Sequence, residues 1–242
     1  MPSEVMTDLY KKLCTQYFKE FLMGRLWEGV VHNINSPLQI VSMNLEILKM
    51  KKESDPSFPE PLWDRIQQIT ESVDRIQDIT NILVKRKEYR EGESTAVILE
   101  EILKNELEFW ISDLFFKHNI KKHIMIGDRS NVVIVNAPSL IDLIDAAFAL
   151  QIAMLKITQG EELIFTLQVV DGPGERFITI MFDRTGPRFK SVEGSLESGD
   201  SPDPHFFELC AYVLQSTAQE LGCALSIEGT TISVELPKAP RP

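Results

Sequence analysis

The sequence predicts an α+β protein, with an N-terminal antiparallel helical hairpin over residues 1–90 and an α/β sandwich over residues 91–242. The first ninety residues hold two long apolar patterns at helical spacing, separated by a proline-rich segment, which is typical of a helical hairpin. After residue 91, short β-branched runs alternate with helical patterns, which favours a sheet covered by helices. At 242 residues the chain is long enough for both units.

The first helix carries an apolar seam whose members follow one another in steps of four and three residues, as in a heptad repeat. They are Trp27, Val31, Ile34, Leu38, Val41, Leu45 and Leu48. Continued upstream, the same rule would put Glu20 and Gly24 on the seam. We therefore expect the helix to bend or to change its packing partner in that region.

The second helix carries a matching seam after a segment, 53–61, whose three prolines exclude regular helix. Its members are Leu62, Ile66, Ile69, Val73, Ile76, Thr80 and Leu83. The basic run Lys85-Arg86-Lys87 suits a helix C-terminus and is interpreted as part of a solvated face. Because one hairpin cannot cover two apolar stripes, we expect a homodimeric four-helix bundle, with burial against the second domain as the alternative.

His32 is the candidate functional residue of the hairpin. At 100° per residue its side chain points away from the seam, so we expect an exposed imidazole, with Ser36, Gln39 and Met43 on the same outer face. Pro37 lacks a backbone N–H group, and we expect a local bend one turn after His32.

The segment His32-Asn33-Ile34-Asn35-Ser36-Pro37-Leu38 resembles the phospho-acceptor box of two-component sensor histidine kinases, usually His-Glu/Asp-x-x-Asn/Thr-Pro-Leu. The resemblance implies that His32 is the phospho-acceptor and that residues 1–90 form the dimerisation and histidine-phosphotransfer domain. The family's acid is replaced by Asn33, which cannot accept a proton at neutral pH. Ser36 replaces the polar residue that positions water during phosphatase action in the family.

The second domain shows the order helix, two strands, helix, hairpin, helix, hairpin. The predicted helices cover 97–118, 138–156 and 205–221, and the predicted strands cover 120–126, 131–135, 163–170, 176–182, 224–228 and 231–236. This order resembles the ATP-binding domain of the same kinases, and the resemblance implies a histidine-kinase-ATPase-like sandwich. The chemistry of that domain lies in short sequence boxes.

Those boxes are degenerate here. The asparagine box aligns with Asp145 and Ala149, and alanine has no oxygen with which to hold the magnesium ion. The first glycine box aligns with Asp183-Arg184-Thr185-Gly186-Pro187, where Asp183 could still contact an adenine amino group and Gly186 is displaced. We therefore expect no productive binding of ATP or magnesium, and no other metal site.

Two further segments bear on the nucleotide. The string Asp171-Gly172-Pro173-Gly174 matches the first glycine box but lies between two predicted strands, so we interpret it as a hairpin turn. The second glycine box should fall at 198–207, where two aspartates would repel phosphate and two phenylalanines replace residues that allow close backbone approach.

Composition excludes several classes of function. The net charge of −11 argues against binding to nucleic acid or to an anionic membrane, and no apolar run is long enough to span a bilayer. Three cysteines without metal-ligand spacing indicate reduced thiols of a cytoplasmic protein. His118, His123 and His205 belong to no recognisable constellation and are interpreted as structural or surface residues.

Three functional readings remain open. The first is a histidine phosphotransfer protein that relays phosphate between His32 and the aspartate of a response-regulator receiver domain or exchanges it with a partner histidine kinase. The second is a pseudokinase scaffold that docks a receiver or a kinase without carrying phosphate. The third is a divergent but active sensor kinase. Docking through the apolar outer residues near His32, such as Met43, is expected in the first two.

Overall fold

The structure, a computed structural model, describes residues 4–54, 60–91, 94–127, 131–158, 162–171, 177–186 and 204–239. It contains helices α1 (Glu4–Ser54), α2 (Glu60–Glu91), α3 (Leu99–Trp110), α4 (Leu114–Asn119), α5 (Ala137–Ile157) and α6 (Pro204–Leu221). The strands are β1 (Ser94–Ile98), β2 (Lys121–Met125), β3 (Val132–Asn136), β4 (Ile164–Asp171), β5 (Phe177–Arg184), β6 (Ala224–Glu228) and β7 (Thr231–Pro237).

The α+β class and the helical hairpin agree with the sequence prediction. Helix α1 runs without interruption through Pro37 and pairs with α2. A polar contact joins the two helices at a buried position of α1: Arg65 Nη1 donates a hydrogen bond to Asn44 Oδ1 at 2.7 Å. A buried amide with a defined partner favours one axial alignment of two helices over its neighbours.

Helix α1 changes its packing partner along its length, as the break in the seam suggested. Phe18, Leu22, Leu26 and Val30 are all buried in the core of the second domain. Phe21 reinforces this contact, since its ring lies 5.0 Å from that of Phe206 on α6. The N-terminal half of α1 therefore packs against the second domain through residues outside the predicted seam, whereas its C-terminal half pairs with α2.

The second domain is built on a mixed five-stranded sheet in the order β2-β4-β5-β7-β6. Only β2 and β4 are parallel, and the two predicted hairpins, β4–β5 and β6–β7, are antiparallel as expected. The turn residues 172–176 lie outside the described residues. Gly229, at φ 64°, turns the second hairpin in a conformation that other residues rarely adopt.

One predicted element was wrong. The helix expected over 97–118 is divided: Ser94–Ile98 is strand β1, α3 follows, and residues 111–113 turn the chain into α4. The strand forms because Val97 aligns with Val133 in a separate antiparallel pair with β3. Pairing with a segment more than thirty residues away outweighed the local helical pattern.

Helix α5 is the centre of the core, since every residue from Ser139 to Leu155 is buried. Its Phe148 ring stacks on Trp110 at 5.5 Å and on Phe165 at 5.2 Å, and meets Phe116 edge-on at 6.0 Å. Such a helix is apolar on all sides except where polar residues find partners. None of the described helices combines the length and the apolar character needed to cross a membrane.

Candidate functional site

His32 lies on the exposed side of α1. Its side chain is exposed, and so are those of Ser36, Gln39 and Met43, as their helical positions predict. Pro37, by contrast, is buried and faces α2 and α3 across a cavity. The helix thus presents an imidazole to solvent while the opposite side of the same turn is held by the rest of the protein.

Gly29 brings α1 into direct contact with the turn between α3 and α4. A Cβ atom at this position would lie 1.6 Å from the carbonyl oxygen of Ser112. No side chain fits at such a distance, so the close approach of the helix depends on glycine here. This contact lies one helical turn before the segment that carries His32, and it fixes that segment against the second domain.

One turn further along the same face, Asn33 meets α4. Lys117 Nζ donates a hydrogen bond to Asn33 Oδ1 at 2.9 Å. The short helix α4 is itself anchored, because Asp113 caps it by accepting from the Phe116 backbone N–H at 2.9 Å and the Phe116 side chain is completely buried. A lysine is therefore held next to the residue that follows His32.

A cavity of about 280 Å³ opens beside this contact, between α1, α2 and the α3–α4 turn. Asn33, Ser36 and Pro37 form its α1 wall, and Ile79, Ile82 and Phe109 give it an apolar floor. Its charged lining residues are Arg75, Asp78, Glu108 and Lys117. Two cations and two anions balance, so the cavity next to the His32 segment has no net charge at neutral pH.

The second notable feature is a buried ionic cluster, here called the arginine clamp, formed by Arg86 and Arg90 of α2 with Glu106 of α3 and Asp142 and Asp145 of α5. Arg90 donates to Asp142 at 2.9 Å and to Asp145 at 2.8 Å. Arg86 pairs with Asp145 and Glu106, and its guanidinium lies 3.7 Å from the centre of the Phe109 ring.

The clamp corrects one interpretation of the sequence. Within the run Lys85-Arg86-Lys87, the two lysines are exposed, but Arg86 is only 4% exposed and is not part of a solvated face. Burial lowers the pKa of Arg86 to about 10 and outweighs the attraction of Asp145, and burial likewise raises the pKa of Asp142. Lys19 of α1 adds a further cation, 2.7 Å from Asp142.

Asp145 and Ala149, aligned with the asparagine box, lie on α5 at the centre of this arrangement. Both oxygens of Asp145 are engaged, Oδ1 by Trp110 Nε1 at 3.0 Å and Oδ2 by the two arginines. The carboxylate is fully buried, and Ala149 is 3% exposed. The one oxygen-bearing side chain of the aligned pair therefore serves to hold α2 on α5.

Asp183 and Gly186, aligned with the first glycine box, lie at the end of β5. Asp183 Oδ1 accepts hydrogen bonds from the hydroxyls of Thr230 and Thr231, at 2.7 and 3.0 Å. Gly186 has φ 105°, and a Cβ there would lie 2.4 Å from Thr158 Oγ1. Asp183 thus ties β5 to the β6–β7 turn. Pro187 and residues 198–203, which the sequence assigned to the nucleotide boxes, lie outside the described residues.

His32, Asn33, Ser36 and Pro37 lie on one segment of α1, with His32 and Ser36 exposed and Pro37 buried. The sequence predicted the exposure of His32 and Ser36. It did not bring Lys117 to Asn33 or Arg86 to Asp145, because those partners are 84 and 59 residues apart. The spacing of Arg86 and Arg90, one helical turn apart, and of Asp142 and Asp145, three residues apart, was the available signal for two charged helix faces.

The remaining histidines lie on the surface. His118, His123 and His205 are exposed, and His205 Nδ1 lies 3.8 Å from Glu208. Among the described residues, no group of three or more histidine, cysteine, aspartate or glutamate side chains has the geometry of a metal site. The three cysteines, Cys14, Cys210 and Cys223, are not joined by disulfide bonds.

Comparison by sequence finds no matching protein-family model and no matching curated protein. Solved structures that resemble the chain include the catalytic domain of histidine kinase ThkA, at 17% identity and a TM-score of 0.45, covering 62% of this chain and 100% of that one. The histidine kinase domain of the blue-light activated kinase of Erythrobacter litoralis covers 92% of this chain and 94% of its own, at 16% identity and a TM-score of 0.44.

A third is ThkA solved in complex with the response regulator TrrA, at 19% identity and a TM-score of 0.41, covering 96% of this chain and 67% of that one. All three of these structures are of histidine kinases. At these identities and scores the likeness concerns the fold and carries nothing about activity.

Proposed function

We propose that this chain is a histidine phosphotransfer protein of a two-component signalling system, which exchanges a phosphoryl group between His32 and the aspartate of a response-regulator receiver domain. A partner histidine kinase is the alternative source of the phosphoryl group. The proposal includes a homodimer that acts in the cytoplasm and does not use ATP.

The observation that carries the proposal has two parts. His32 is exposed, and Asp145, which aligns with the asparagine box, is engaged by arginines of α2. The His32 imidazole is open to solvent on a helix that is firmly held from behind by Gly29 and Pro37. A receiver domain is a large partner, and its aspartate can approach only a side chain that protrudes. A fixed, protruding imidazole meets the requirement of in-line approach at little entropic cost.

Of the described residues, Asp145 and Ala149, which align with the asparagine box, do not fit a magnesium ion. Magnesium requires oxygen ligands with free lone pairs. The Asp145 oxygens are engaged by Arg86, Arg90 and Trp110, and Ala149 offers none. Freeing Asp145 would break its pairs with Arg86 and Arg90, leaving Arg86 with Glu106 and Arg90 with Asp142. Breaking one buried pair costs several kcal/mol (~3–5). Nucleotide binding would have to supply that energy in addition to its own needs.

Phosphotransfer needs no nucleotide on this chain. A ring nitrogen of neutral His32 attacks the phosphorus of the receiver's aspartyl phosphate, the bond between phosphorus and the carboxylate oxygen breaks, and the carboxylate leaves with its electron pair. The reverse step returns the phosphoryl group to the aspartate. Asn33 has no proton-accepting group, and its amide oxygen already accepts from Lys117. The absence of a neighbouring acid is compatible with transfer, since the acyl phosphate brings a good leaving group.

The exposed seam of the hairpin supports the homodimer. Leu38 and Leu45 on α1 are 45% and 52% exposed, and Ile66 and Val73 on α2 are 39% and 49% exposed. Leu38 and Leu45 are seven residues apart, and so are Ile66 and Val73. Each pair therefore forms an apolar stripe that a second copy of the hairpin would cover. Replacing Leu45 and Val73 with Asp should yield monomers in sedimentation velocity. Gln68→Asp, at an exposed position of α2 outside the seam, should leave the dimer intact.

The test of function is transfer of ³²P from a phosphorylated receiver or kinase across a panel of candidate partners. His32→Ala should abolish labelling, and His118→Gln, His123→Gln and His205→Gln should retain it, because those histidines are also exposed but lie elsewhere. Calorimetry should detect no heat with Mg-ATP. Full labelling of His32→Ala would refute the proposal, and tight ATP binding would favour a divergent kinase instead.

A pseudokinase scaffold is the second candidate, favoured by the apolar Met43 side chain, 52% exposed on the face that carries His32. Such a scaffold would bind a receiver without forming phosphohistidine. His32→Gln separates the two, since a relay loses transfer and a scaffold loses nothing. Met43→Asp should weaken binding of the partner in either case, and unchanged transfer by that variant would place the docking surface elsewhere.

A further inference from the structure

We propose that Lys117 is a positioning residue for phosphohistidine, holding the phosphoryl group on His32 through its ammonium while it remains bonded to Asn33. This inference rests on the proposed function and specifies what stabilises its phosphorylated state. Nothing in the acceptor segment itself supplies a positive charge, since residues 29–39 contain no lysine or arginine.

The position of Lys117 follows from packing. Gly29 allows the Ser112 carbonyl to press against α1, which sets the start of α4 on the same helical face as Asn33, one turn later. Asp113 and the fully buried Phe116 then fix α4, and Asp113 is in turn paired with Lys156 at 3.2 Å. The base of the lysine side chain is thereby held at a defined place beside Asn33, although Lys117 itself remains exposed.

The chemistry of the ammonium suits a phosphoryl group. A lysine carries three N–H donors, and the bond to Asn33 Oδ1 uses one. Two donors remain for phosphoryl oxygens on the neighbouring residue. The other charges that line the adjoining cavity are Arg75, Asp78 and Glu108, so the two cations and two anions balance before phosphorylation. Phosphorylation adds a dianion, and Lys117 is the cation bonded to the acceptor segment.

Two consequences distinguish this role from simple packing. A cation beside a phosphoryl group lowers its second pKa, because it favours the dianion over the monoanion. It also shifts the transfer equilibrium towards phosphohistidine, by about tenfold for one charge pair near a protein surface, and this shift weakens in high salt. A residue that only packed α4 against α1 would change neither property.

The experiment uses the full chain with His118, His123 and His205 replaced by Gln, so that His32 is the single histidine. Phosphoramidate phosphorylates it without a partner: a ring nitrogen attacks phosphorus, the P–N bond breaks and ammonia leaves. The ³¹P chemical shift is then followed against pH. In Lys117→Gln the midpoint should rise by about one pH unit, and Lys117→Arg should restore it.

Lys104→Gln is the matched control, since it removes the same charge from an exposed position on α3 and should leave the midpoint unchanged. An equal midpoint in wild type and Lys117→Gln, or an equal rise in Lys104→Gln, would overturn the assignment, as would failure of phosphoramidate to label His32. Failure of the proposed function would be a separate result. In that case phosphoramidate labels His32 and the midpoint rises in Lys117→Gln, but the labelled protein exchanges phosphate with no receiver or kinase.

Discussion

Replacing Gly29 with alanine tests whether the hairpin rests on the second domain as described. The added Cβ would lie 1.6 Å from the Ser112 carbonyl oxygen, so the helix or the turn must move by about 1.8 Å to reach ordinary contact at 3.4 Å. The opposing atom is backbone in a turn that Asp113 caps, and it cannot rotate away as a side chain would.

Two effects of opposite sign decide the magnitude. Alanine is favoured over glycine within a helix by about 1 kcal/mol. Overpacking of a close contact costs about 1–3 kcal/mol, and a rigid backbone neighbour places this site at the upper end. The expected net loss is about 2 kcal/mol in the free energy of unfolding, or about 4–8 °C in the melting temperature for a chain of this size.

The assay is thermal and urea unfolding followed by circular dichroism. Ser42→Ala, at an exposed position of the same helix, gains helix propensity without a clash and should change stability by less than about 0.5 kcal/mol. Because the shift also separates Lys117 from Asn33, phosphorylated Gly29→Ala should titrate like phosphorylated Lys117→Gln. A variant as stable as wild type, or more stable, would refute the packing of α1 on residues 111–113.

Two further predictions concern buried groups. Arg86→Met should lower the free energy of unfolding by about 3–5 kcal/mol in urea titrations, because Glu106 and Asp145 lose a buried counter-ion, and a loss below 1 kcal/mol would mean that the clamp is solvated. Burial raises the pKa of Cys223, so its contribution to stability is complete below the unfolded value of 9.0 and is lost as pH rises through the higher folded value. Because Cys223 is half-buried, its alkylation by iodoacetamide at pH 8.5, measured by mass spectrometry, should be slower in the folded chain than in urea, and equal rates would contradict this partial burial.

The parts of the fold that the sequence predicted well depend on contacts between near neighbours. The β6–β7 hairpin follows from two alternating runs around Gly229, and the exposure of His32 follows from helical angles alone. The part it misassigned, Ser94–Ile98, depends on a partner strand at Val132–Asn136. When a short β-branched run adjoins an amphipathic helix, the sequence pattern alone assigns it to the helix. Only the position of its distant partner strand shows that it is a strand.

The candidate site shows the same division at the level of single residues. The box around His32 is contiguous, so its members could be named from the sequence. The arginine clamp joins Arg86 to Asp145. From the sequence, Arg86 was interpreted as part of a solvated helix face, and Asp145 was aligned with the degenerate asparagine box. Neither interpretation on its own indicates a buried ion pair. The structure shows that the two residues are partners, because the Asp145 carboxylate pairs with Arg86 and Arg90 of α2.

The clamp also bears on how the two domains can work together. A kinase that carries its own ATP must bring the γ-phosphate to its histidine, which requires the nucleotide domain to move relative to the helix that bears the acceptor. Here α2 is tied to α5 by Arg86, which is buried, and by Arg90, which is partly exposed. Helix α1 is tied to the α3–α4 turn through Gly29, so both helices of the hairpin are held by the same domain. Moving that domain would separate buried charges. It would also withdraw Lys117 from Asn33, and with it the cation that we assign to the phosphorylated state. Under the proposed function, the contacts that oppose this domain movement are therefore the ones that keep His32 presented to a receiver domain.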